Sequence, residues 1–83
     1  MYSVYALYNC KNKKIYIGQT ENLKVRLELH EGKIFLNSYT ARFDGEWKLI
    51  YTEKVKDRKE AWIREKQLKS YRGREFIKKH IPV

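Results

Sequence analysis

Eighty-three residues are enough for one domain with a modest core, spanning 1–83, and leave no room for a second recognition module. Hydrophobic residues at 42% against 35% charged describe a folded chain with a polar surface and exclude a disordered tail. Nineteen Lys and Arg against ten Asp and Glu give +9 at pH 7, the footprint of a domain that meets a polyanion, nucleic acid before others.

The excess is uneven. Residues 56–80 hold ten bases (Lys56, Arg58, Lys59, Arg64, Lys66, Lys69, Arg72, Arg74, Lys78 and Lys79) against four acids, a net of +6. The C-terminal helices are therefore expected to meet phosphates first. No apolar run approaches spanning length and no Trp, Phe and Leu face is long enough to insert, which argues against a membrane surface. No secretory signal pattern begins the chain, so a cytoplasmic protein is expected. Cys10 is the single cysteine, which excludes an internal disulfide and a thiolate-rich zinc site.

In chain order, Tyr2 to Tyr8 is rich in Tyr, Val, Ala and Leu and reads as a strand, and the polar stretch Asn9 to Lys13 separates it from a second, Lys14 to Gln19. Together they make a hairpin. Glu21 to Glu31 alternates apolar and polar residues like a half-buried strand, yet its Leu, Lys, Arg and Glu favour helix, with Thr20 as the cap and Gly32 as the stop. At about 100° per residue the helical reading puts Val25, Leu29, Arg26, His30, Leu23 and Leu27 on one arc. Arg26 and His30 then fall in the middle of the buried face, where costly side chains suggest a site.

A third strand is read at Trp47 to Val55, with Trp47, Leu49, Tyr51 and Val55 alternating with Lys48, Thr52 and Lys54 after the turn signal Asp44 Gly45. Asp57 and Glu60 form a variant capping box for a helix continuing from Ala61 to Tyr71. Gly73 is expected to break it before a short last helix, Arg74 to His80, which ends ahead of Pro82. Trp47 and Trp62 are expected in the core.

Several residues carry chemistry and a plainer account beside it. Glu65 shares the inward stripe of Ala61 and Leu68; it can hold a cation, or simply pair with Lys69 four residues on. Tyr5 and Tyr16 are also ordinary strand residues. Arg26 suits a phosphate clamp or a surface charge, and His30 a proton relay or a favourable helix C-terminus. The loop from Gly32 to Glu46, with Lys33, Tyr39, Thr40 and Arg42, either borders a substrate groove or is a solvated connection.

Taken in order, Val4 Tyr5, Tyr16 Ile17 Gly18, Arg26, His30 and a distant helical Glu65 resemble the GIY-YIG endonuclease superfamily. The similarity extends through Trp47 Lys48 Leu49 Ile50 Tyr51, Asp57 Arg58 Lys59 Glu60 Ala61 and Arg64 Glu65 Lys66 Gln67 Leu68 Lys69. It is nearest to the small stand-alone bacterial members related to the nuclease half of the excision-repair incision protein. The resemblance implies an α+β fold, a three-stranded antiparallel sheet flanked by helices in the order β-β-α-β-α-α. It also implies a metal-dependent endonuclease acting on DNA, structure-selective and repair-related, with RNA as a second possible substrate and a protein partner as a possible source of targeting.

By the same resemblance, Glu65 holds a single Mg²⁺ or Mn²⁺ ion, and Tyr5 or Tyr16, with Tyr5 preferred, helps deprotonate the attacking water. Arg26 stabilises the phosphate in the transition state, and His30 bonds the phosphate or a catalytic tyrosine. Gly18 is structural in the motif, relieving a close passage of strand, helix and substrate. Lys33, Thr40, Arg42 and Lys69 are expected to contact nucleic acid. Three positions depart from the family pattern: Ser3 replaces the first motif's glycine, Gln19 stands where several relatives carry lysine, and the tail Phe76 Ile77 Lys78 Lys79 His80 lacks an asparagine found in some members. The alternative function is a non-catalytic nucleic-acid-binding module on the same scaffold, with salt-sensitive affinity.

Overall fold

A computed structural model describes residues 1–25 and 46–81. Strands β1 (Tyr2–Asn9), β2 (Lys14–Thr20) and β3 (Trp47–Val55) form one antiparallel sheet in the order β2-β1-β3. Helices α1 (Arg58–Lys69) and α2 (Tyr71–Lys78) follow. The three strands thus stand where residue propensity puts them, the first two one residue longer.

Asn9 closes the hairpin. It is fully buried, and its Oδ1 accepts from the Asn12 backbone N at 3.0 Å and from Asn12 Nδ2 at 3.3 Å. A short polar side chain that bonds backbone a few residues ahead favours a turn over a continued strand. Lys13 takes the left-handed conformation, φ 53°, to return the chain into β2.

Central position explains β1. Val4, Tyr5, Ala6 and Leu7 are all buried, at 1% exposure or less, because hydrogen-bonded neighbours flank the strand and both of its faces are covered. Val4, Ala6 and Ile17 pack with Ala61, Leu68 and Ile77, with Ile15, Ile50, Tyr51 and Val55 around them. The helices therefore cover the Val4 and Ala6 face, and by strand alternation Tyr5, Leu7, Tyr16 and Gly18 belong to the opposite face.

Alternation fails on β3. Ala6 pairs with Tyr51 but Leu7 with Leu49, so Ile50 is an extra residue, a β-bulge. Ile50 and Tyr51 consequently both reach the core, while Leu49, expected inward, is 41% exposed.

Three further expectations are corrected. The turn after β2 is capped by Asn22, whose Oδ1 accepts from the Val25 N at 3.2 Å, while Thr20 Oγ1 bonds the Asn22 backbone instead. Helical backbone is present at 23–25, and the rest of the expected Glu21 to Glu31 helix lies outside the described residues.

The helix pair divides at Ser70, not at Gly73. Ser70 is the C-cap of α1 and the N-cap of α2, its Oγ donating to the Gln67 carbonyl at 2.5 Å and accepting from the Gly73 N at 3.3 Å. Gly73 lies inside α2, where a Cβ would stand 2.1 Å from the Gln67 carbonyl oxygen and 2.4 Å from Leu68 Cα. Its role is a close approach of backbones. Finally, Trp62 is 52% exposed on the outer face of α1, with Lys66 Nζ 4.2 Å from its ring centroid, a cation–π contact, and is not a core residue. Trp47 is half-buried.

Candidate active site

The hairpin register brings two phenols together. Tyr5 pairs with Gly18 and Leu7 with Tyr16, so Tyr5 and Tyr16 are diagonal neighbours on one sheet face. Their ring centroids lie 6.1 Å apart with planes inclined at 45°. Gly18 makes the space: a Cβ there would lie 2.9 Å from Tyr16 Cε2 and 2.9 Å from Tyr5 Oη. The close approach at Gly18 is thus with the two tyrosine rings. Tyr5 is 1% exposed, whereas Tyr16 is half-buried and borders a cavity at the sheet edge.

Glu65 approaches that edge from α1. The Asp57 cap, whose Oδ1 accepts from the Glu60 N at 2.9 Å, starts a helix that seats Ala61 and Leu68 in the core. At about 100° per residue, Arg64 and Glu65 fall roughly 50° to either side of that stripe. Arg64 reaches β3, where its Nε donates to Glu53 Oε1 at 2.7 Å. Glu65 falls on the β2 flank and accepts from Lys69 Nζ at 3.1 Å, the carboxylate 18% and the lysine 50% exposed.

Lys69 in turn lines the edge cavity with Ile15, Tyr16, Ile17 and Arg74. The structure therefore joins Tyr5, Tyr16 and Gly18 as one group and Glu65 with Lys69 as another. Both groups reach the β2 edge, where Tyr16 and Lys69 border one cavity, the tyrosine from the sheet face away from the helices. Arg26, His30, Lys33, Thr40 and Arg42 lie outside the described residues. Among the described residues no three His, Cys, Asp or Glu side chains gather into a chelating cluster.

Sequence reasoning missed a second cluster on the other flank of α1. Glu53 Oε1 accepts from Arg64 and from the Tyr51 hydroxyl, the latter at 2.9 Å, and Tyr51 packs edge-on against Phe76 and His80 at 5.3 and 4.9 Å. Burial, then the hydrogen bond to Glu53, raises the Tyr51 pKa above 10.0. The Glu53 bond likewise raises that of Arg64. The partners stand eleven residues apart on a strand and a helix, with no motif to link them. Gln19, one residue past Gly18, buries an Oε1 that has no hydrogen-bond partner among the described residues.

Residues 1–79 match the GIY-YIG catalytic domain. The chain belongs to the GIY-YIG family. It is thus a domain of a nuclease family, in agreement with the sheet and helices described above. The GIY-YIG chain is also similar to the solution NMR structure of a UPF0213 protein from Bacillus halodurans. The two are 30% identical, the match covers 93% of this chain and 82% of that one, and the TM-score is 0.53. No curated protein matches the chain. Among the described residues no helix is long and apolar enough to cross a membrane.

Proposed function

We propose that this GIY-YIG domain is a divalent-metal-dependent endonuclease that hydrolyses DNA phosphodiester bonds in a structure-selective, repair-related setting in the cytoplasm. The observation that supports it most is the Tyr5, Tyr16 and Gly18 group on one sheet face, with Glu65 and Lys69 reaching the same β2 edge from the helix side.

The donor set fits a hard cation. Mg²⁺ binds through one or two carboxylates and substrate phosphates and keeps several waters, so it needs no dedicated protein cage. Glu65, partly exposed and flanking the cavity, is the residue that would hold it, with Lys69 giving way. When bound, Mg²⁺ or Mn²⁺ polarises a phosphate and lowers the pKa of bound water.

The chain's own groups do the rest. Burial of Tyr5 favours Tyr16 as the base, because a base must touch the attacking water; Tyr16 Oη, when ionised, takes the proton. Tyr5, fixed in the central strand, then orients Tyr16. Arg26 carries the paired donors that match phosphate oxygens and stabilises the charge gathering on them, and His30 bonds the phosphate or a tyrosine. Lys33, Thr40, Arg42 and Lys69 would track the backbone.

Incubation with Mg²⁺ or Mn²⁺ and branched, flapped and plain duplexes tests this reading. Wild-type protein should cleave, while Arg26→Ala, Tyr16→Phe and Glu65→Ala should each lose at least about a hundredfold in rate. Equal product from all four proteins would mean a contaminant nuclease. The ion pair that already neutralises Glu65 favours one rival, a nucleic-acid-binding module without catalysis. A steep salt dependence of binding with no cleavage in any metal would establish that rival.

A further inference from the structure

The cavity at the β2 edge has a volume of about 250 Å³. Among the described residues its lining divides cleanly, with Ile15, Ile17 and Tyr16 from the strand on one side and Lys69 and Arg74 from the helices on the other. An apolar strand wall facing two cations matches a nucleotide, which presents a base and sugar at one end and a phosphate at the other. The volume lies just under the ~300 Å³ at which pockets enclosing a whole drug-sized ligand begin. One nucleotide fits that scale and a duplex does not.

Arg74 is the telling residue. It is exposed, and among the described residues no carboxylate is paired with it, whereas Lys69 is held by Glu65 and Lys78 by Glu75. An unpaired guanidinium at a cavity mouth offers the forked donors that grip a phosphate in a fixed orientation.

We propose that the β2-edge cavity is a subsite for one unstacked nucleotide next to the scissile bond, its phosphate held by Arg74 and Lys69 and its base and sugar laid along the β2 edge at Ile15 and Ile17. The proposal rests on the nuclease reading for which bond lies next door, while the binding itself needs neither metal nor cleavage. It gives structure selectivity a physical source. A base inside a duplex is stacked and cannot enter, so substrates with an unpaired strand at a flap or branch bind better. Arg74, read from sequence only as part of the general basic charge, thereby acquires a positional role.

Titration of isotope-labelled protein in EDTA, followed by amide NMR, tests the subsite with a 5′-phosphorylated thymidine dinucleotide, a blunt duplex and inorganic phosphate as separate probes. The dinucleotide should shift the Tyr16, Ile17, Lys69 and Arg74 amides saturably and bind more tightly than phosphate alone. Arg74→Ala should weaken it by about tenfold, one charged hydrogen-bonded contact, and Arg74→Lys should recover part of the loss. Shifts centred elsewhere, an Arg74→Ala affinity equal to wild type, or identical affinity for inorganic phosphate would overturn the proposal. Because EDTA removes metal, intact binding without cleavage in a parallel metal assay counts against the catalytic reading alone.

Discussion

Replacing Gly18 by alanine should damage catalysis more than stability. The added methyl would stand 2.9 Å from Tyr16 Cε2, 2.9 Å from Tyr5 Oη and 3.1 Å from Tyr5 Cζ, where ordinary contact begins at 3.4 Å. The nearest ring atoms must retreat by roughly 0.5 Å, a forced repacking rather than a collision of backbones. Such overpacking costs about 1–2 kcal/mol, which lowers the melting temperature by about 4–8 °C per kcal/mol in a domain of this size. Misplacement of catalytic groups by ~1 Å can cost 10²-fold, so cleavage should fall by roughly tenfold to a hundredfold while the protein remains folded. Urea denaturation beside initial rates on a labelled flapped duplex measures both effects. Gly73→Ala is the control, for its methyl meets Gln67 and Leu68 backbone atoms at 2.1–2.6 Å, costing roughly 2–3 kcal/mol without touching a phenol. A Gly18→Ala enzyme with the wild-type rate, or one whose rate falls only with its folded fraction, would refute the reasoning.

Other outcomes follow from the same geometry. Ser70→Ala removes the hydroxyl that caps both helices and should cost about 1 kcal/mol, read by thermal melting. Lys69→Met frees the Glu65 carboxylate from its 3.1 Å partner; because half-exposed ion pairs are weak, Mn²⁺ affinity measured calorimetrically should rise by no more than about fivefold, and a fall would show that lysine does not compete for this oxygen. The raised pKa of Tyr51 means the folded state holds that proton more tightly than the unfolded chain. Its contribution is therefore complete below the unfolded value of about 10 and is lost as pH rises through the folded one. Urea midpoints taken at increasing alkaline pH should decline less steeply in Tyr51→Phe than in wild type; parallel curves would mean that another group governs the alkaline limb.

Local chemistry made the strands legible: β3 spans the Trp47–Val55 expected from its residues, and the Asp57 cap is visible in spacing alone. What escaped is set by distance in space. Gly73 was read through its low helix propensity, yet a helix keeps it because another helix end passes within contact of it, and Ser70 breaks the chain through a hydroxyl that bonds in both directions. The bulge at Ile50 depends on how β3 meets β1 and reverses which apolar residue faces inward. Trp62 looked like core by size, but its place on α1 lies away from the Ala61 and Leu68 stripe. The pairing of Tyr5 with Tyr16 was legible as a motif, while the burial that separates their roles was not.

The order β2-β1-β3 gives the two phenols different mechanical backing. Tyr5 rides on a strand laddered from both sides, so its amide should exchange with solvent only when the whole sheet opens. Tyr16 rides on an outer strand bonded along one side, where local opening costs less free energy than global unfolding. The tyrosine nearest the edge is thus carried on the strand that opens more readily, while its ring neighbour sits on the strand that opens last.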